Sequence, residues 1–417
     1  MSNPRGTRDG PVSGPGPGLA PEVRKRRVFA ALAPVYLSVF LFVAGNAALT
    51  VLIPVYLART GHLSDAAIGL VVGAFGLSSL VVRLPVGLAY TVGRGNAFLV
   101  VGALLNAAAY ALLPVVHTAV LFGLLMAVNG IGWSIATTAQ LALLVARPPG
   151  GVGTAAAMGW FSGATGLGNM AAGVVGGFIA DLIGIGPTFY VLAVTPVIGA
   201  LLMVRTSRVL APPPRDAAPR SWRLLARMPL AVWAGVLVMF FINGLNALQN
   251  TFYPVLAVAA GLSLTQIGAA SSLRSWASSS SRFGSGPLFQ RFDPAGLTLP
   301  LVALGTLATV AIPSVIGSFA LQVPLFLFTG LSRGLLRVTG SADAFDAVGG
   351  DERGHGLTSA LLYGGLDLGK IVLPVVGGVV AHAWGIATML RVVPVALLLL
   401  YLALALPARR RAEISAV

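Results

Sequence analysis

Apolar runs of about twenty residues, separated by short polar or glycine-rich stretches, recur along the whole chain. A helix of that length crosses the hydrocarbon core of a bilayer, because each helical residue adds about 1.5 Å. The pattern therefore predicts an all-α membrane protein with twelve transmembrane helices. The predicted spans are 30–57, 65–90, 96–116, 118–145, 153–180, 187–206, 229–257, 264–288, 296–315, 318–342, 356–381 and 386–407.

The composition fits a membrane environment. Hydrophobic residues make up 56% of the 417 residues and charged residues only 9%, against about a quarter charged in soluble domains. The chain has no cysteine, which excludes disulfides and thiolate metal sites. The sequence contains no phosphate-binding Gly-Lys-Ser/Thr stretch, no metal-ligand cluster and no paired carboxylates. We therefore expect no catalytic site, metal or cofactor, and a protein that is not an enzyme.

The net charge of +15 is concentrated before the first span, between the sixth and seventh spans, and after the last. Basic clusters of this kind hold loops on the cytoplasmic side, so an even number of spans predicts that both termini are cytoplasmic. No groove-reading module accompanies the charge, and we expect no nucleic-acid partner. The bias toward arginine over lysine suggests a GC-rich bacterial genome, and hence a multi-pass protein of the bacterial inner (plasma) membrane.

The pattern divides the chain into five regions. Residues 1–22 are rich in Gly, Pro and Ser and favour disorder. The predicted regions are a disordered basic cytoplasmic N-terminus at 1–27, an N-terminal six-helix half at 28–206, a cytoplasmic linker at 207–228, a C-terminal six-helix half at 229–407 and a cytoplasmic tail at 408–417.

The two predicted halves repeat each other at a nearly constant shift. Asn46 and Pro54 on the first span match Asn246 and Pro254 on the seventh. Shared apolar composition would give identities scattered over many shifts, whereas matches at one shift indicate two homologous halves. Further matched pairs are Gly69 with Gly268, Arg83 with Arg282, Gly87 with Gly286, Gly130 with Gly330, Val174 with Val375, Gly176 with Gly377, and Gly177 with Gly378.

Two parallel six-helix halves joined by a basic linker resemble the major facilitator superfamily. The resemblance extends to the loop after the second span, where the superfamily usually has Arg and Pro followed by Gly, an acidic residue and basic residues. The acid is missing from this chain, and Gln290 occupies its position in the second copy. The resemblance implies a gating loop motif with a weakened charge lock. Its residues are Arg83, Gly87, Arg282, Gly286 and Arg291.

Two further features bear on the direction of transport that the resemblance implies. Exporters of the superfamily usually have Gly-Pro followed two residues later by Gly-Gly on the fifth helix. The eleventh span has Pro374 ahead of Gly377 and Gly378, whereas the fifth span lacks the proline. Met126 stands where many proton-driven exporters have an arginine. The glycine pattern favours export, and Met126 counts against proton-driven export.

Ionisable side chains inside predicted spans are functional candidates, because a charge in the bilayer is costly unless it faces a cavity or a partner. Tyr363, Asp367 and Lys370 share one face of the eleventh span. Asp367 is the one acid deep in a span, which makes it the candidate for proton coupling. A purely structural ion pair between Asp367 and Lys370 is the alternative. The ionisable candidates are Arg274, Arg333, Arg337, Asp367 and Lys370.

Polar stripes on the first, fourth, seventh and tenth spans favour a hydrated pathway, because the resemblance implies that these helices line a central cavity. The alternative for each asparagine is a structural hydrogen bond between helices. The predicted substrate cavity consists of Asn46, Asn129, Trp133, Asn243, Asn246, Asn250, Arg274, Arg333, Arg337, Tyr363 and Lys370.

Three functions are compatible with these features. The first is a secondary transporter that exports a small organic metabolite or drug in exchange for protons. The second is an importer or exchanger of organic anions, which the excess of cations in the predicted cavity favours. The third is a non-transporting receptor or scaffold with the same fold. We expect a monomer whose partners are a small-molecule substrate (an anion is one candidate), protons and the lipid bilayer.

Overall fold

The computed structural model describes residues 21–89, 94–146, 154–207, 228–283, 285–289, 291–292, 294–348 and 352–415. Twelve long helices account for most of these residues. They are α1 (Pro21–Arg59), α2 (Asp65–Ala89), α3 (Gly95–Leu112), α4 (Ala119–Ala146), α5 (Thr154–Ile183), α6 (Ile185–Ser207), α7 (Leu230–Ala259), α8 (Leu264–Phe283), α9 (Pro294–Ala311), α10 (Phe319–Asp346), α11 (Glu352–Trp384) and α12 (Ile386–Ser415). A short helix at Ser285–Phe289 follows α8, and 3₁₀ turns at Leu113–Val115 and Ile312–Val315 follow α3 and α9.

The predicted all-α fold with twelve long helices is confirmed, and most predicted boundaries lie within a few residues of the observed ones. The largest differences are at the chain ends. Helix α1 begins at Pro21 rather than near residue 30, so residues 21–27 are helical and the predicted disorder of 1–27 is wrong for them. Proline is favoured at the first turn of a helix, where its missing N–H costs no hydrogen bond. Residues 1–20 and most of the predicted linker, 208–227, lie outside the described residues.

Helix α8 differs from its neighbours in polarity. Eleven helices among the described residues are long and apolar enough to cross a membrane, and α8 is not one of them. The prediction of an apolar run over 264–288 is therefore wrong: α8 is rich in serine, contains Arg274 and ends at Phe283. Its polar side chains are tolerated because α8 packs against α5 and α10, which shield them from lipid.

Packing inside the two halves follows the predicted repeat. Helix α1 packs on α5 and α6, and α7 correspondingly packs on α11 and α12. Helices α2 and α3 both contact α4, as α8 and α9 both contact α10. The same six-helix arrangement therefore occurs twice, and the halves meet mainly where α5 contacts α8 and where α2 contacts α11.

One end of the bundle carries loops 60–64 and 260–263 and the turns at Gly184 and Gly385. We call it the distal end. Gly184 and Gly385 each form a one-residue connection, between α5 and α6 and between α11 and α12. Their φ angles are +87° and +82°, a left-handed conformation that side chains with a Cβ atom disfavour. These two tight reversals occupy equivalent places in the two halves.

The halves approach each other most closely through glycines near the distal end. A Cβ atom on Gly268 of α8 would collide with the backbone of Gly173 on α5, and one on Gly69 of α2 with the backbone of Pro374 on α11. These contacts are equivalent under the repeat, since Gly69 matches Gly268 and Gly173 occupies the position of Pro374. Small residues let helices approach where lipid gives no hydrophobic drive for association. Two close helix contacts, related by the repeat, therefore close the distal end. We call them the α5–α8 seam, at Gly173 and Gly268, and the α2–α11 seam, at Gly69 and Pro374.

A similar contact joins α3 to α4 within the first half and gives a test of the packing. A Cβ atom on Gly102 would lie 2.7 Å from the carbonyl oxygen of Gly132 and 2.7 Å from the backbone nitrogen of Ala136. Gly102→Val must push these helices apart, and overpacking of this kind costs about 1–3 kcal/mol. We expect a clear drop in the melting temperature of the detergent-solubilised protein.

The matched control is Gly123→Val on α4. No heavy atom lies within 4 Å of the place that a Cβ atom on Gly123 would take. We expect this variant to melt close to wild type. Equal melting temperatures for the two variants would contradict the close contact between α3 and α4.

Candidate functional site

The centre of the second half is occupied by Arg274, which is only 3% exposed. Its guanidinium donates two hydrogen bonds. One runs from Nη1 to Oε1 of Gln249 over 2.6 Å, and the other from Nη2 to Oδ1 of Asn250. Ser271 on the same helix lies 3.3 Å from Nη2, and the guanidinium carbon stands 5.8 Å from the ring centroid of Phe326. All of these partners are neutral. No carboxylate of the described residues lies within 4.0 Å of Arg274, and its Nε has no hydrogen-bond partner among them.

A second layer of hydrogen bonds fixes the amides around Arg274. Gln249 donates from Nε2 to Oγ1 of Thr309 over 2.9 Å, which leaves its carbonyl oxygen directed at the guanidinium. Tyr253 donates from its hydroxyl to Oε1 of Gln322 over 2.5 Å, and Gln322 in turn donates to the backbone oxygen of Ile316. The network spans α7, α8, α9 and α10, so it holds Arg274 in one place.

Two small cavities meet at Arg274. The first is lined by polar groups of α7, α9 and α10, and the second lies toward α1. The polar lining of the first includes Asn246, Gln249, Thr309, Ser332 and Arg333. The polar lining of the second includes Gln249, Asn250, Tyr253 and Ser271. A ligand in either cavity would contact Arg274 directly.

Further cations continue from Arg274 along the inner surface of the second half. Arg333 interacts electrostatically with Arg274, Arg282 and Arg337. Lys370 interacts with Arg83, Arg333 and Arg337, and with the single acid of the group, Asp367. Arg337 lies over the ring of Tyr363, 5.9 Å from its centroid. Four of the predicted ionisable residues therefore lie in one group with Arg83 and Arg282, the arginines of the predicted gating motif. We call this group the cationic cluster: Arg83, Arg274, Arg282, Arg333, Arg337 and Lys370.

Asp367 forms an ion pair that links the two halves. Its Oδ2 lies 3.8 Å from Nη1 of Arg83 on α2, and the two side chains are 14% and 38% exposed. No ion pair within 4.0 Å joins Asp367 to Lys370, although the two charges attract each other, so the alternative of a structural Asp367–Lys370 pair stays a prediction. Arg83 belongs both to the predicted gating motif and to this pair.

Among the remaining gating residues, Arg282 also belongs to the cationic cluster. Arg282 bonds within its own helix, from Nε to the backbone oxygen of Ser278 over 3.0 Å and from Nη2 to Ser279. Arg291 lies in an exposed turn. Gly87 lies within α2 and Gly286 within the short helix after α8. Residues 90–93 and Gln290, which complete the two copies of the motif, lie outside the described residues.

Several of the predicted cavity residues make contacts between helices of one half. Asn129 accepts a hydrogen bond from Nδ2 of Asn106, and Asn243 donates over 2.6 Å to the backbone oxygen of Leu366. Asn46 accepts from the hydroxyl of Tyr110 over 3.4 Å. Trp133 stacks on Phe42, with the ring centroids 5.2 Å apart. These side chains connect α3 with α4, α7 with α11, α1 with α3 and α1 with α4.

Three residues near Arg274 are not predicted from the sequence: Gln249, which bonds Arg274, Thr309, which bonds Gln249, and Gln322, which bonds Tyr253. Each is a lone polar residue in an apolar stretch, and nothing in its spacing separates it from structural hydrogen bonding. One signal was available for two residues of the network. Gln249 and Tyr253 are four residues apart and lie on one helical face beside Asn246 and Asn250.

Comparison with known proteins shows which family and which solved structures this fold resembles. A sequence model of the Major Facilitator Superfamily matches residues 35–358. A solved bacterial homologue of the human lysosomal transporter Spinster, in an inward-facing and unoccupied conformation, has a TM-score of 0.69 and 16% identity, covering 94% of this chain and 98% of that one. The nucleoside transporter NupG, solved as a point mutant, has a TM-score of 0.71 and 13% identity, covering 90% of this chain and 99% of that one.

A search of curated proteins finds no match. At 13–16% identity the solved structures establish the fold alone. The sequence match covers more than three quarters of the chain, and the twelve helices in two repeated halves agree with it. The chain belongs to the major facilitator superfamily of membrane transporters.

Proposed function

We propose that the protein is a secondary active transporter that moves a small organic anion by alternating access of its two halves. The observation that carries this proposal is Arg274, a buried guanidinium whose partners are all neutral. A buried charge is costly unless a group of opposite charge compensates it. An anion in either adjoining cavity would supply that charge and would also satisfy the free Nε.

The cationic cluster supports the same substrate class. The cluster contains six cations, and Asp367, the acid that interacts with Lys370, is already paired with Arg83. A cleft lined by one sign of charge raises the local concentration of ligands of the opposite sign. A carboxylate or phosphate group fits Arg274 well, because a guanidinium offers two parallel donors to such groups. A neutral or cationic substrate would leave this field uncompensated.

The conformation fits alternating access. The two glycine seams close the distal end, on the far side of the bundle from the chain termini. With both termini in the cytoplasm, as the basic clusters predict, the closed end faces outward and the site faces the cell interior. We further propose that the protein works as a monomer in a bacterial plasma membrane, because one chain supplies all the residues that line the two cavities.

Removal of the central charge tests the substrate class. We expect Arg274→Gln to raise the KM for a transported anion roughly tenfold or more, since a hydrogen bond to a charged group contributes about 1.5–3 kcal/mol. The measurement is counterflow in proteoliposomes across a panel of acidic, neutral and cationic compounds. Only the acidic compounds should show counterflow in the wild type.

Arg391→Gln is the matched control. Arg391 lies on α12 in the same half, and its exposed side chain contacts Ser314 rather than the cavities. This variant should transport with wild-type KM. Counterflow of a neutral or cationic compound that survives Arg274→Gln would contradict the anion proposal.

Proton-coupled export is a second candidate, favoured by the cross-half pair of Arg83 and Asp367. Protonation of Asp367 would remove one charge of this pair and release Arg83 from the other half. The proton would thereby be linked to the relative movement of the halves. We propose export as the direction of transport because of the exporter-like glycine pattern. In this pattern Gly177 packs on α8, and Gly378 packs on α2.

Neutralisation of Asp367 tests the coupling. We expect Asp367→Asn to abolish substrate accumulation driven by an imposed proton gradient in everted membrane vesicles. Counterflow, which needs no gradient, should persist because the substrate contacts around Arg274 are intact.

Arg83→Gln is the comparison variant, since it breaks the same ion pair without removing the proton acceptor. We expect gradient-driven accumulation to be reduced in this variant but still to respond to pH. Gradient-driven accumulation at wild-type levels in Asp367→Asn would show that the proton is carried elsewhere or not at all.

A further inference from the structure

A carboxylate of the first half caps a helix of the second half at the distal end. Asp181 lies near the end of α5, and α8 begins at Leu264. Oδ1 of Asp181 accepts a hydrogen bond from the backbone N–H of Leu264 over 3.0 Å. Oδ2 accepts from the N–H of Thr265 over 2.8 Å and from its hydroxyl over 2.6 Å. We call these three residues the distal latch.

Two other N–H groups at the N-terminus of α8 have hydrogen-bond acceptors within the same segment of the chain. Ser263 donates from its N–H to Oε1 of Gln266 over 3.0 Å, and Gln266 donates from its N–H to Oγ of Ser263 over 3.2 Å. This reciprocal arrangement is a capping box. The first turn of a helix leaves four N–H groups without partners in the helix. Here the capping box supplies acceptors for two of the groups at the helix start, and the opposite half supplies acceptors for two more.

The latch lies at the end of the α5–α8 seam. A Cβ atom on Gly177 would collide with the backbone oxygen of Leu264, so a glycine is needed for α5 to come this close to the start of α8. Deeper in the seam, the N–H of Val174 donates to Oγ of Ser272 over 3.2 Å. Hydrogen bonds between the halves therefore occur at two levels of the same seam.

The equivalent seam between α2 and α11 has the packing but not the latch. Gly378 takes the place of Gly177, and a Cβ atom there would lie 2.7 Å from the backbone oxygen of Asp65 at the start of α2. Under the repeat, His382 occupies the position of Asp181. His382 interacts electrostatically with Asp65 at the start of α2, but among the described residues it makes no hydrogen bond to the N-terminus of α2. The carboxylate cap is thus a feature of one seam only.

We propose that Asp181 is a latch that stabilises the conformation in which the distal end is closed. When the halves separate at this end, α5 moves away from α8. The hydrogen bonds between the carboxylate and the two N–H groups are then replaced by hydrogen bonds to water. The carboxylate also loses its favourable position at the positive end of the α8 dipole. The latch therefore biases the conformational equilibrium toward the distally closed state, whatever substrate the carrier takes.

The chain contains no cysteine, so spin labels can be attached at chosen positions without removing native residues. Val120 on α4 is 73% exposed, and its repeat mate Ala320 on α10 is also exposed. Labels on Val120→Cys and Ala320→Cys report the separation of the halves at the distal end by double electron–electron resonance. We expect Asp181→Ala to increase the ratio of distally open to closed protein roughly fivefold, the factor that corresponds to the loss of one helix cap.

Ser263→Ala is the matched control, because it removes a cap of the same helix end without breaking a bond between the halves. Its distance distribution should equal that of wild type. Asp181→Asn should give an intermediate shift, since it keeps one acceptor oxygen but loses the charge. Wild-type distance distributions in both Asp181 variants would overturn the proposal, as would an equal shift in Ser263→Ala.

Discussion

The arrangement of the second half depends on the need to stabilise a positive charge in a medium of low polarity. Arg274 is on α8, and its acceptors Gln249 and Asn250 come from α7. The aromatic face beside it, Phe326, comes from α10. A buried polar group without partners costs several kcal/mol in such a medium. The hydrogen bonds and the aromatic contact of one side chain therefore tie α7, α8 and α10 together.

The repeated halves keep the same backbone contacts while their side chains have diverged. Gly130 packs on the backbone of Phe75, and its repeat mate Gly330 packs in the same way on the backbone of Arg274. Likewise Trp133 stacks on Phe42, whereas its mate Arg333 belongs to the cationic cluster. The first half is thus a mainly apolar partner that closes over a polar half. Five of the six cations of the cationic cluster accordingly lie in the second half.

Much of this organisation can be predicted from the sequence, because a bilayer makes each polar residue conspicuous. The helix count follows from the apolar runs, the repeat from residues matched at one shift, and four members of the cationic cluster from single charges in predicted spans. Pairings between side chains of distant helices cannot be predicted from the sequence in this way. Asp367 has Lys370 within one helical turn, yet it pairs with Arg83 on the other half, which only the crossing of α2 and α11 determines. Asp181, at the end of an apolar run, gives no signal of its cross-half role.

Amide side chains mark a second limit of sequence-based prediction. Asn250 binds the central guanidinium, whereas Asn243, two turns earlier on α7, donates to the backbone of α11. Both were expected in the cavity, and their surroundings in the sequence are alike. Which role each one has depends on a rotation of α7 relative to its neighbours that the sequence pattern does not fix.

The polarity of α8 has a consequence for how the chain is assembled. A helix with an arginine at its centre and many serines is disfavoured as a lone segment in lipid, since insertion of the arginine alone costs about 2.5–3.5 kcal/mol. Entry of α8 into the bilayer must therefore be coupled to helices that accept its hydrogen bonds. The acceptors on α7 are synthesised before α8, whereas α10 follows later. We therefore expect α8 to enter the bilayer together with α7, whose amide side chains accept the hydrogen bonds of Arg274.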